Sequence, residues 1–299
     1  MNSELLTINK LTIIGVGLIG GSLARALKAK NLCRHVTGCS RHEDNLEKAV
    51  ELGVIDSYST DPDTAVADAD IVLLASPVST YGGIFKAIQP ALGANTILTD
   101  AGSSKGSVVE AAKASLGEAL PRFVPGHPIA GTEQSGVEAS FAELFESHRV
   151  ILTPLPETDA AATRVVSEMW RATGAEVILM NPEHHDSVLA ATSHLPHLLA
   201  YALVDCLARK EEREEIFRYA AGGFADFTRI ASSSPEMWHD ICFANREYLL
   251  EVLLEFDDHL RDIEAAIRDG DSDRLLAIFT RAKAARDRFN DLRKLPAND

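Results

Sequence analysis

Leu11-Thr12-Ile13-Ile14-Gly15-Val16-Gly17-Leu18-Ile19-Gly20 is the stretch that decides the fold. Its β-branched run leads into a G-x-G-x-x-G pattern, and apolar residues then recur at helical spacing up to Leu27. Between a strand and a helix, the first glycine makes a tight turn, the second lets the backbone approach a pyrophosphate, and the third lets helix and strand pack closely. The pattern predicts a dinucleotide site at the helix N-terminus. Its predicted contacts are Gly15, Gly17, Leu18, Ile19 and Gly20.

The end of the second predicted strand bears on the choice of dinucleotide. An NAD-specific site usually has Asp or Glu there, to bind the ribose 2′-hydroxyl. This chain has Ser40 and Arg41 instead. A hydroxyl and a guanidinium suit a 2′-phosphate, so the sequence favours NADP over NAD. The alternative, in which Arg41 is a solvated loop residue and the site takes either cofactor, stays open.

Strands and helices alternate up to about residue 180. Residues 69–75, 96–100, 122–124, 149–153 and 176–180 have the composition of strands. This alternation predicts a parallel sheet with right-handed crossovers. Ligands of such sheets bind beyond the carboxyl ends of the strands. We therefore expect Ser76-Pro77, Gly102-Ser103 and a polar loop at 126–136 to share one crevice with the dinucleotide.

The chain after Pro182 has only helical patterns. The sequence therefore predicts an α/β Rossmann-type parallel-sheet domain at 1–181, followed by an all-helical domain at 182–299. Pro196 is expected to kink or open the helix at 184–207. Two glycines at 222–223 break the helical pattern, and Ser234-Pro235 starts one long predicted helix through Leu260. A last helix capped by Asp271 or Ser272 is expected to have an apolar side with Leu275, Phe279, Ala282, Phe289 and Leu292.

Composition narrows the class of protein. The 299 residues carry a net charge of −15, which argues against a nucleic-acid partner because phosphate binding needs a basic face. Four cysteines show no zinc spacing. With no signal peptide and no long apolar run in view, the sequence predicts a cytoplasmic protein without a membrane partner.

Three polar residues of the helical half are candidates for the crevice: His194, His197 and Arg229. A zinc site with His184 and His185 is conceivable, but no ligand set with zinc spacing is evident, and we predict no metal. Instead, one histidine is expected to contact substrate and the other to pack against the kink. Arg229 suits either a carboxylate clamp or a surface salt bridge, and both interpretations stay open.

Five segments together resemble the prephenate dehydrogenase family, which includes prephenate, arogenate and broader cyclohexadienyl dehydrogenases of tyrosine biosynthesis. The similarity runs from residue 11 to about residue 250. The segments are Gly-Val-Gly-Leu-Ile-Gly-Gly-Ser at 15–22, Asp-Ala-Gly-Ser-Ser-Lys at 100–105, Gly-His-Pro-Ile-Ala-Gly-Thr-Glu-Gln-Ser-Gly at 126–136, Ser-His-Leu-Pro-His at 193–197 and Gly-Gly-Phe-Ala-Asp-Phe-Thr-Arg-Ile-Ala at 222–231.

The resemblance implies an oxidative decarboxylation, in which a ring hydroxyl is oxidised by NAD or NADP and the ring carboxylate leaves as carbon dioxide. His127 would take the hydroxyl proton, and Ser103 would bond the same hydroxyl or orient His127. The substrate-binding residues implied by the motif match are His194, Arg229, Glu133 and Trp238, and the implied cofactor contacts add Ser40, Arg41, Ser76 and Pro77 to the glycine turn. The resemblance also implies a homodimer through the helical domain. It does not separate prephenate from arogenate.

Two other classes of function are weighed against this one. A nicotinamide-binding redox sensor without turnover should show a DNA-binding helix pair or a basic face, and the sequence shows neither. A different Rossmann dehydrogenase with a helical dimer domain, such as a β-hydroxyacid or imine reductase, lacks the segment around His127 as it stands here.

Overall fold

A six-stranded parallel sheet forms the centre of the chain's first compact unit. The computed structural model describes residues 7–292, with side chains to residue 291, in two compact units that meet in sequence at Leu249 and Leu250. The strand order is β3-β2-β1-β4-β5-β6. The strands are β1 (Ile8–Ile14), β2 (Cys33–Cys39), β3 (Ser57–Ser59), β4 (Ile71–Leu74), β5 (Ile97–Asp100) and β6 (Phe123–Val124). The helices that accompany them are α1 (Leu18–Ala29), α2 (Glu43–Glu51), α3 (Pro62–Val66), α4 (Tyr81–Ile88) and α5 (Gly106–Ser115).

The sheet confirms the predicted Rossmann-type fold. All four residues of β4 are buried, because helices cover both faces of a parallel sheet of this kind. The strand order reverses between β1 and β4, and a crevice for ligands opens beyond the carboxyl ends of strands at such a point.

A second, three-stranded sheet corrects two predictions. Its strands are β7 (Gly126–Ile129), β8 (Arg149–Leu152) and β9 (Glu176–Leu179), and α6 (Ala160–Ala172) lies between β8 and β9 in sequence. The prediction that β8 and β9 extend one parallel sheet was wrong, because β7 pairs antiparallel with β8 in a sheet of its own. The prediction of a loop from residue 126 was wrong for its first four residues. Pro128 is tolerated because β7 is an edge strand, where a missing N–H needs no partner.

The described residues after Asn181 form helices joined by short turns and contain no strand, as predicted. The elements are α7 (Pro182–Leu189), a π-helical turn (Ala190–His194), α8 (Leu195–Ala208), α9 (Arg213–Arg218), α10 (Gly222–Thr228), a 3₁₀ turn (Arg229–Ser232), α11 (Pro235–Ala244), α12 (Arg246–Arg268) and α13 (Ser272–Leu292). Pro196 lies in the first turn of α8, and the chain opens into the π-helical turn just before it.

Two helical predictions were wrong in detail. The glycines at 222–223 do not interrupt helical structure but begin α10, which continues into a 3₁₀ turn that begins at Arg229. The long helix from Pro235 is broken at Asn245, whose φ of −114° and ψ of 36° depart from helical values. In the second unit, α13 begins at Ser272, and the side chain of Leu292 lies outside the described residues.

One helical stretch, Pro182–Ala208, is long and apolar enough by composition to cross a membrane, contrary to the expectation of no long apolar run. A single stretch of this kind is weak evidence for a membrane span. The same stretch contains the buried polar residues His185, Asp186 and His194, whose hydrogen bonds are made within the protein.

Gly15 and Gly17 form a matched pair of glycines in the turn after β1. Gly15 has a φ of +101°, and a Cβ on it would lie 2.6 Å from the backbone of Ala75 and Ser76. Apart from its chain neighbours and its own helix backbone, a Cβ on Gly17 would have no described atom within 4 Å. We predict that Gly15→Ala lowers the free energy of unfolding by at least about 1–2 kcal/mol, the cost of a left-handed residue, and that Gly17→Ala leaves it nearly unchanged. Urea unfolding of both variants checks this, and equal losses would contradict it.

Candidate active site

A cleft of about 440 Å³ lies at the carboxyl ends of β1, β4 and β5. The sheet side contributes the glycine turn, Ser76-Pro77 and Ser103. His127 of β7 and residues 130–136 line it as well, and the helical segment up to Ile241 contributes further side chains. The lining residues that the sequence singled out are Gly17, Leu18, Ile19, Ser76, Pro77, Ser103, His127, Glu133, His194 and Trp238.

The glycine turn fits a dinucleotide phosphate. Gly17 precedes α1, no described side chain caps the first turn of that helix, and a Cβ on Gly17 would contact no described residue beyond its chain neighbours and helix backbone within 4 Å. The free N–H groups and the partial positive charge of a helix N-terminus suit a phosphate there. Gly20 contributes by packing, because a Cβ on it would lie 2.6 Å from the Gly15 carbonyl oxygen.

Ser40 and Arg41 lie beside this turn but do not line the cleft. They follow Cys39, whose carbonyl oxygen accepts a hydrogen bond from the Gly15 N–H at 2.8 Å. Arg41 is exposed and Ser40 is half-buried. Their position at the end of β2 is the one from which a side chain reaches an adenosine ribose in this fold.

His127 is the first member of a buried hydrogen-bonded chain. Its Nδ1 lies 2.8 Å from Nε2 of His185, and Nδ1 of His185 lies 2.7 Å from Oδ1 of Asp186. The Asp186 carboxylate also accepts from the backbone N–H groups of Lys105 and Gly106, both at 2.7 Å. Burial acts to raise the pKa of Asp186, but these donors outweigh it and hold the pKa below its usual value.

This chain determines where the protons reside on both rings. Ionised Asp186 can only accept, so His185 donates from Nδ1 and accepts at Nε2. His127 must then donate from Nδ1, which leaves the lone pair on its Nε2. No described residue forms a hydrogen bond with that Nε2, and His127 lines the cleft. Burial lowers the pKa of His127 well below its usual value, and the positive charges that His185 and Lys105 can carry lower it further. His127 is therefore a neutral hydrogen-bond acceptor.

A fully buried ion pair supports the backbone next to His127. The ammonium of Lys105 pairs with Asp100 and donates to the Gly126 carbonyl oxygen at 2.6 Å. The Asp100 carboxylate accepts from the N–H groups of Gly102 at 2.8 Å and Gly126 at 3.0 Å. Burial raises the pKa of Asp100 and lowers that of Lys105, while the charge of each partner opposes both shifts. The pair holds the Ser103 segment and the start of β7 together.

The helical side of the cleft carries His194 and Trp238, whereas His197 does not line the cleft. His194 is 1% exposed, and its Nδ1 lies 3.0 Å from Nδ2 of Asn245. His197 stacks on Trp238 with ring centroids 3.7 Å apart, and its Nδ1 bonds the Ser193 carbonyl oxygen, so it packs beside the π-helical turn. The indole Nε1 of Trp238 is buried without a hydrogen-bond partner among the described residues.

Arg229 and Glu133 form an ion pair at the surface. The side chain of Arg229 is 63% exposed, and that of Glu133 is 41% exposed. Glu133 lines the cleft, whereas Arg229 does not line it and contacts a cleft residue through its pair with Glu133. The structure thus shows Arg229 in a surface salt bridge whose partner, Glu133, lines the cleft.

The sequence reasoning did not select five residues that organise this site. They are Asp100, Lys105, His185, Asp186 and Asn245. The first two lie in the quoted segment 100–105, where a Lys five residues after an Asp that ends an apolar strand was a usable signal. His185 was considered only as a zinc ligand, although an adjacent His-Asp pair also suits an acid–base chain. Asn245 gave no signal, because it lies inside an apparently continuous helical pattern.

The Lys105–Asp100 pair gives a stability prediction. Lys105→Met leaves Asp100 buried without its counter-charge, so we expect the free energy of unfolding to fall by about 3–5 kcal/mol. The double variant Asp100→Asn/Lys105→Met should recover part of the loss. Lys113→Met is the matched control, since Lys113 pairs with Glu157 at 3.6 Å on the surface and should cost about 0–1 kcal/mol. Equal losses for Lys105→Met and Lys113→Met in urea unfolding would contradict the prediction.

Comparisons with known proteins agree with this architecture. A family model described as the prephenate dehydrogenase nucleotide-binding domain matches residues 23–179. A second, described as the prephenate dehydrogenase dimerization domain, matches residues 181–281. The cyclohexadienyl dehydrogenase of Zymomonas mobilis is 43% identical over 92% of this chain and 94% of its own length. The prephenate dehydrogenase of Bacillus subtilis is 36% identical over 93% of this chain and 75% of its own.

Solved structures give the same result. The prephenate dehydrogenase from A. aeolicus, in complex with hydroxyphenyl propionate and NAD+, has a TM-score of 0.88 at 38% identity, covering 95% of this chain and 99% of that one. The arogenate dehydrogenase of Synechocystis has a TM-score of 0.77 at 28% identity, covering 94% and 99%. With both family models matched in order and close relatives over nearly its whole length, this chain belongs to the prephenate dehydrogenase family of oxidoreductases.

Proposed function

We propose that the chain oxidatively decarboxylates prephenate to 4-hydroxyphenylpyruvate, arogenate to tyrosine, or both, with NAD or NADP as oxidant. The observation that carries this proposal is His127. A neutral, acceptor-oriented imidazole lines the same cleft as the phosphate-binding glycine turn. A dehydrogenase acting on an alcohol needs this combination of a base and a dinucleotide site.

The reaction balances within this cleft. A bound nicotinamide dinucleotide supplies the acceptor for the electron pair of the carbinol C–H bond. His127 takes the hydroxyl proton at Nε2 as the carbinol becomes a carbonyl. The bond from the ring to its carboxylate breaks and carbon dioxide leaves. The electron pair of that bond passes into the ring, which becomes aromatic as the carbonyl becomes a phenolate, and the phenolate takes back the proton held by His127.

His185 and Asp186 assist the proton transfer. When His127 accepts a proton at Nε2, the positive charge is shared through the 2.8 Å contact with His185. The negative charge of Asp186, whose Oδ1 lies 2.7 Å from Nδ1 of His185, stabilises this positive charge. Ser103, which lines the cleft, bonds the same substrate hydroxyl or orients His127 in this proposal.

Substrate recognition is assigned to the helical side and to the 130–136 segment. His194 and Trp238 line the cleft, and their ring N–H groups, which make no hydrogen bond of ordinary geometry with a described residue, suit substrate oxygens. Arg229 is proposed to hold a substrate carboxylate, which would replace the carboxylate of Glu133 as its partner. Glu133 then gates or pairs at the cleft edge.

The cofactor preference is proposed as NADP, on the basis of Ser40 and Arg41 at the end of β2. NAD remains the alternative, and the related structure from A. aeolicus contains NAD+. No carboxylate stands at either position to select the 2′-hydroxyl of NAD.

We further propose a cytoplasmic homodimer assembled through residues 182–299, with 1–181 as the dinucleotide domain. Only 28% of the apolar window in Pro182–Ala208 is buried within one chain, and a second copy is a better cover than lipid for a stretch that carries ionised Asp186. Large apolar side chains are also exposed elsewhere in this region. They include Phe243, Leu254, Ile267, Leu276 and Phe279.

A crossed assay tests the proposed function. Purified protein is given prephenate or arogenate with NAD+ or NADP+, and reduced cofactor and carbon dioxide are measured. We expect turnover in at least one combination, with a lower KM for NADP+ than for NAD+. Arg41→Ala should raise the KM for NADP+ and leave that for NAD+ nearly unchanged. Absence of turnover in all four combinations would overturn the proposal.

Two substitutions separate chemistry from binding. His127→Asn should lower kcat by about 10²–10⁴-fold with a modest change in KM, because it removes the base. Arg229→Gln should mainly raise KM, because it removes a carboxylate contact. In the wild type, kcat should be flat near neutral pH and fall only as pH drops through the lowered pKa of His127, where the base becomes protonated. The reverse assignment of the kcat and KM effects would show that the two roles are exchanged.

A further inference from the structure

Asn245 occupies the break between α11 and α12 and is 3% exposed. Its Nδ2 lies 2.8 Å from the carbonyl oxygen of Asp186 and 3.0 Å from Nδ1 of His194. It therefore links the backbone of Asp186, which belongs to the hydrogen-bonded chain that ends at His127, to the side chain of His194. Its Oδ1 is buried without a partner among the described residues.

The carbonyl of Asp186 settles which way the amide faces. A carbonyl oxygen only accepts, so the group 2.8 Å from it must be the NH₂ and not Oδ1. The same nitrogen has one further hydrogen, and Nδ1 of His194 is the second atom within its reach. Nδ1 of His194 must therefore accept, which places the ring proton on Nε2.

The Nε2–H of His194 is a donor with at most a weak interaction within the described residues. Nε2 is buried and has no hydrogen bond of ordinary geometry with any described residue, although the Ser103 backbone is near enough to favour its protonation. His194 lines the same cleft as Gly17, Leu18 and Ile19. Burial lowers the pKa of His194 to about 4, so the ring is neutral and carries a single, defined proton.

We propose that Asn245 is a positioning residue that fixes His194 as an Nε2–H donor to an acceptor oxygen of the substrate. His127 and His194 then present opposite polarities to the cleft, an acceptor for the hydroxyl and a donor for a carboxylate or carbonyl oxygen. Asp186 serves both, with its carboxylate on the His127 side and its backbone carbonyl on the Asn245 side. The identity of the substrate in this inference rests on the proposed function, but the position of the proton on the His194 ring does not.

Nitrogen NMR of the histidines tests the ring state directly. In ¹⁵N-histidine-labelled full-length protein, with His194→Gln used to assign the signals, the wild type should show the Nε2–H tautomer of His194. Asn245→Asp replaces the donor by an acceptor and should move the proton to Nδ1, with the His127 signals unchanged as the internal control. A wild-type Nδ1–H tautomer would overturn the inference whatever the activity.

Steady-state kinetics test whether the Nε2 proton of His194 contributes to substrate binding. Asn245→Asp should raise the KM for the active substrate by on the order of tenfold to a hundredfold, the worth of a hydrogen bond to a charged group, with a smaller change in kcat and an unchanged Kd for the dinucleotide. If that variant does not fold, Asn245→Ala serves instead, with a mixed tautomer and a smaller rise in KM. A changed tautomer with an unchanged KM would overturn the role toward substrate. The expected tautomers without turnover of either substrate would refute the proposed function and leave the positioning of His194 supported.

Discussion

The Asp186 carboxylate is the interaction on which the site depends. It accepts from His185 and from the first N–H groups of α5, so a residue of the helical segment caps a helix of the Rossmann sheet. A helix N-terminus stabilises a negative charge, and these donors hold Asp186 ionised despite its burial. An ionised, acceptor-only group at this position determines the direction of every hydrogen bond from it to the cleft.

The opposite hydrogen-bonding roles of His127, an acceptor, and His194, a donor, both follow from Asp186. Both rings are neutral because burial disfavours their charged forms. Through His185, the carboxylate leaves a lone pair on His127, and through Asn245, the backbone carbonyl leaves a proton on His194. The cleft thereby distinguishes a hydroxyl from an acceptor oxygen before any substrate arrives, which is the preorganisation that a decarboxylating dehydrogenase requires.

Much of the fold followed from local pattern, and the errors have physical causes. The glycine turn and the apolar strands predicted the Rossmann sheet, because steric and hydrophobic requirements act over a few residues. The strand β7 was missed because Pro and Gly at 126–128 disfavour a strand locally, whereas pairing with β8 and an edge position accommodate them. The break at Asn245 was missed because the hydrogen bonds that stabilise it connect Asn245 to residues 51 and 59 positions away in the sequence.

The sequence by itself determined the fold class, the dinucleotide turn, the candidate base His127 and the family, since each is written in short segments with local physical meaning. Only the tertiary structure decided which side chains stand behind that base. His185, Asp186, Lys105 and Asn245 act through hydrogen bonds to residues distant in sequence. A hydrogen bond has a direction that a string of residues does not carry, so the proton positions on His127 and His194 emerge only when the donors and acceptors meet in the folded chain.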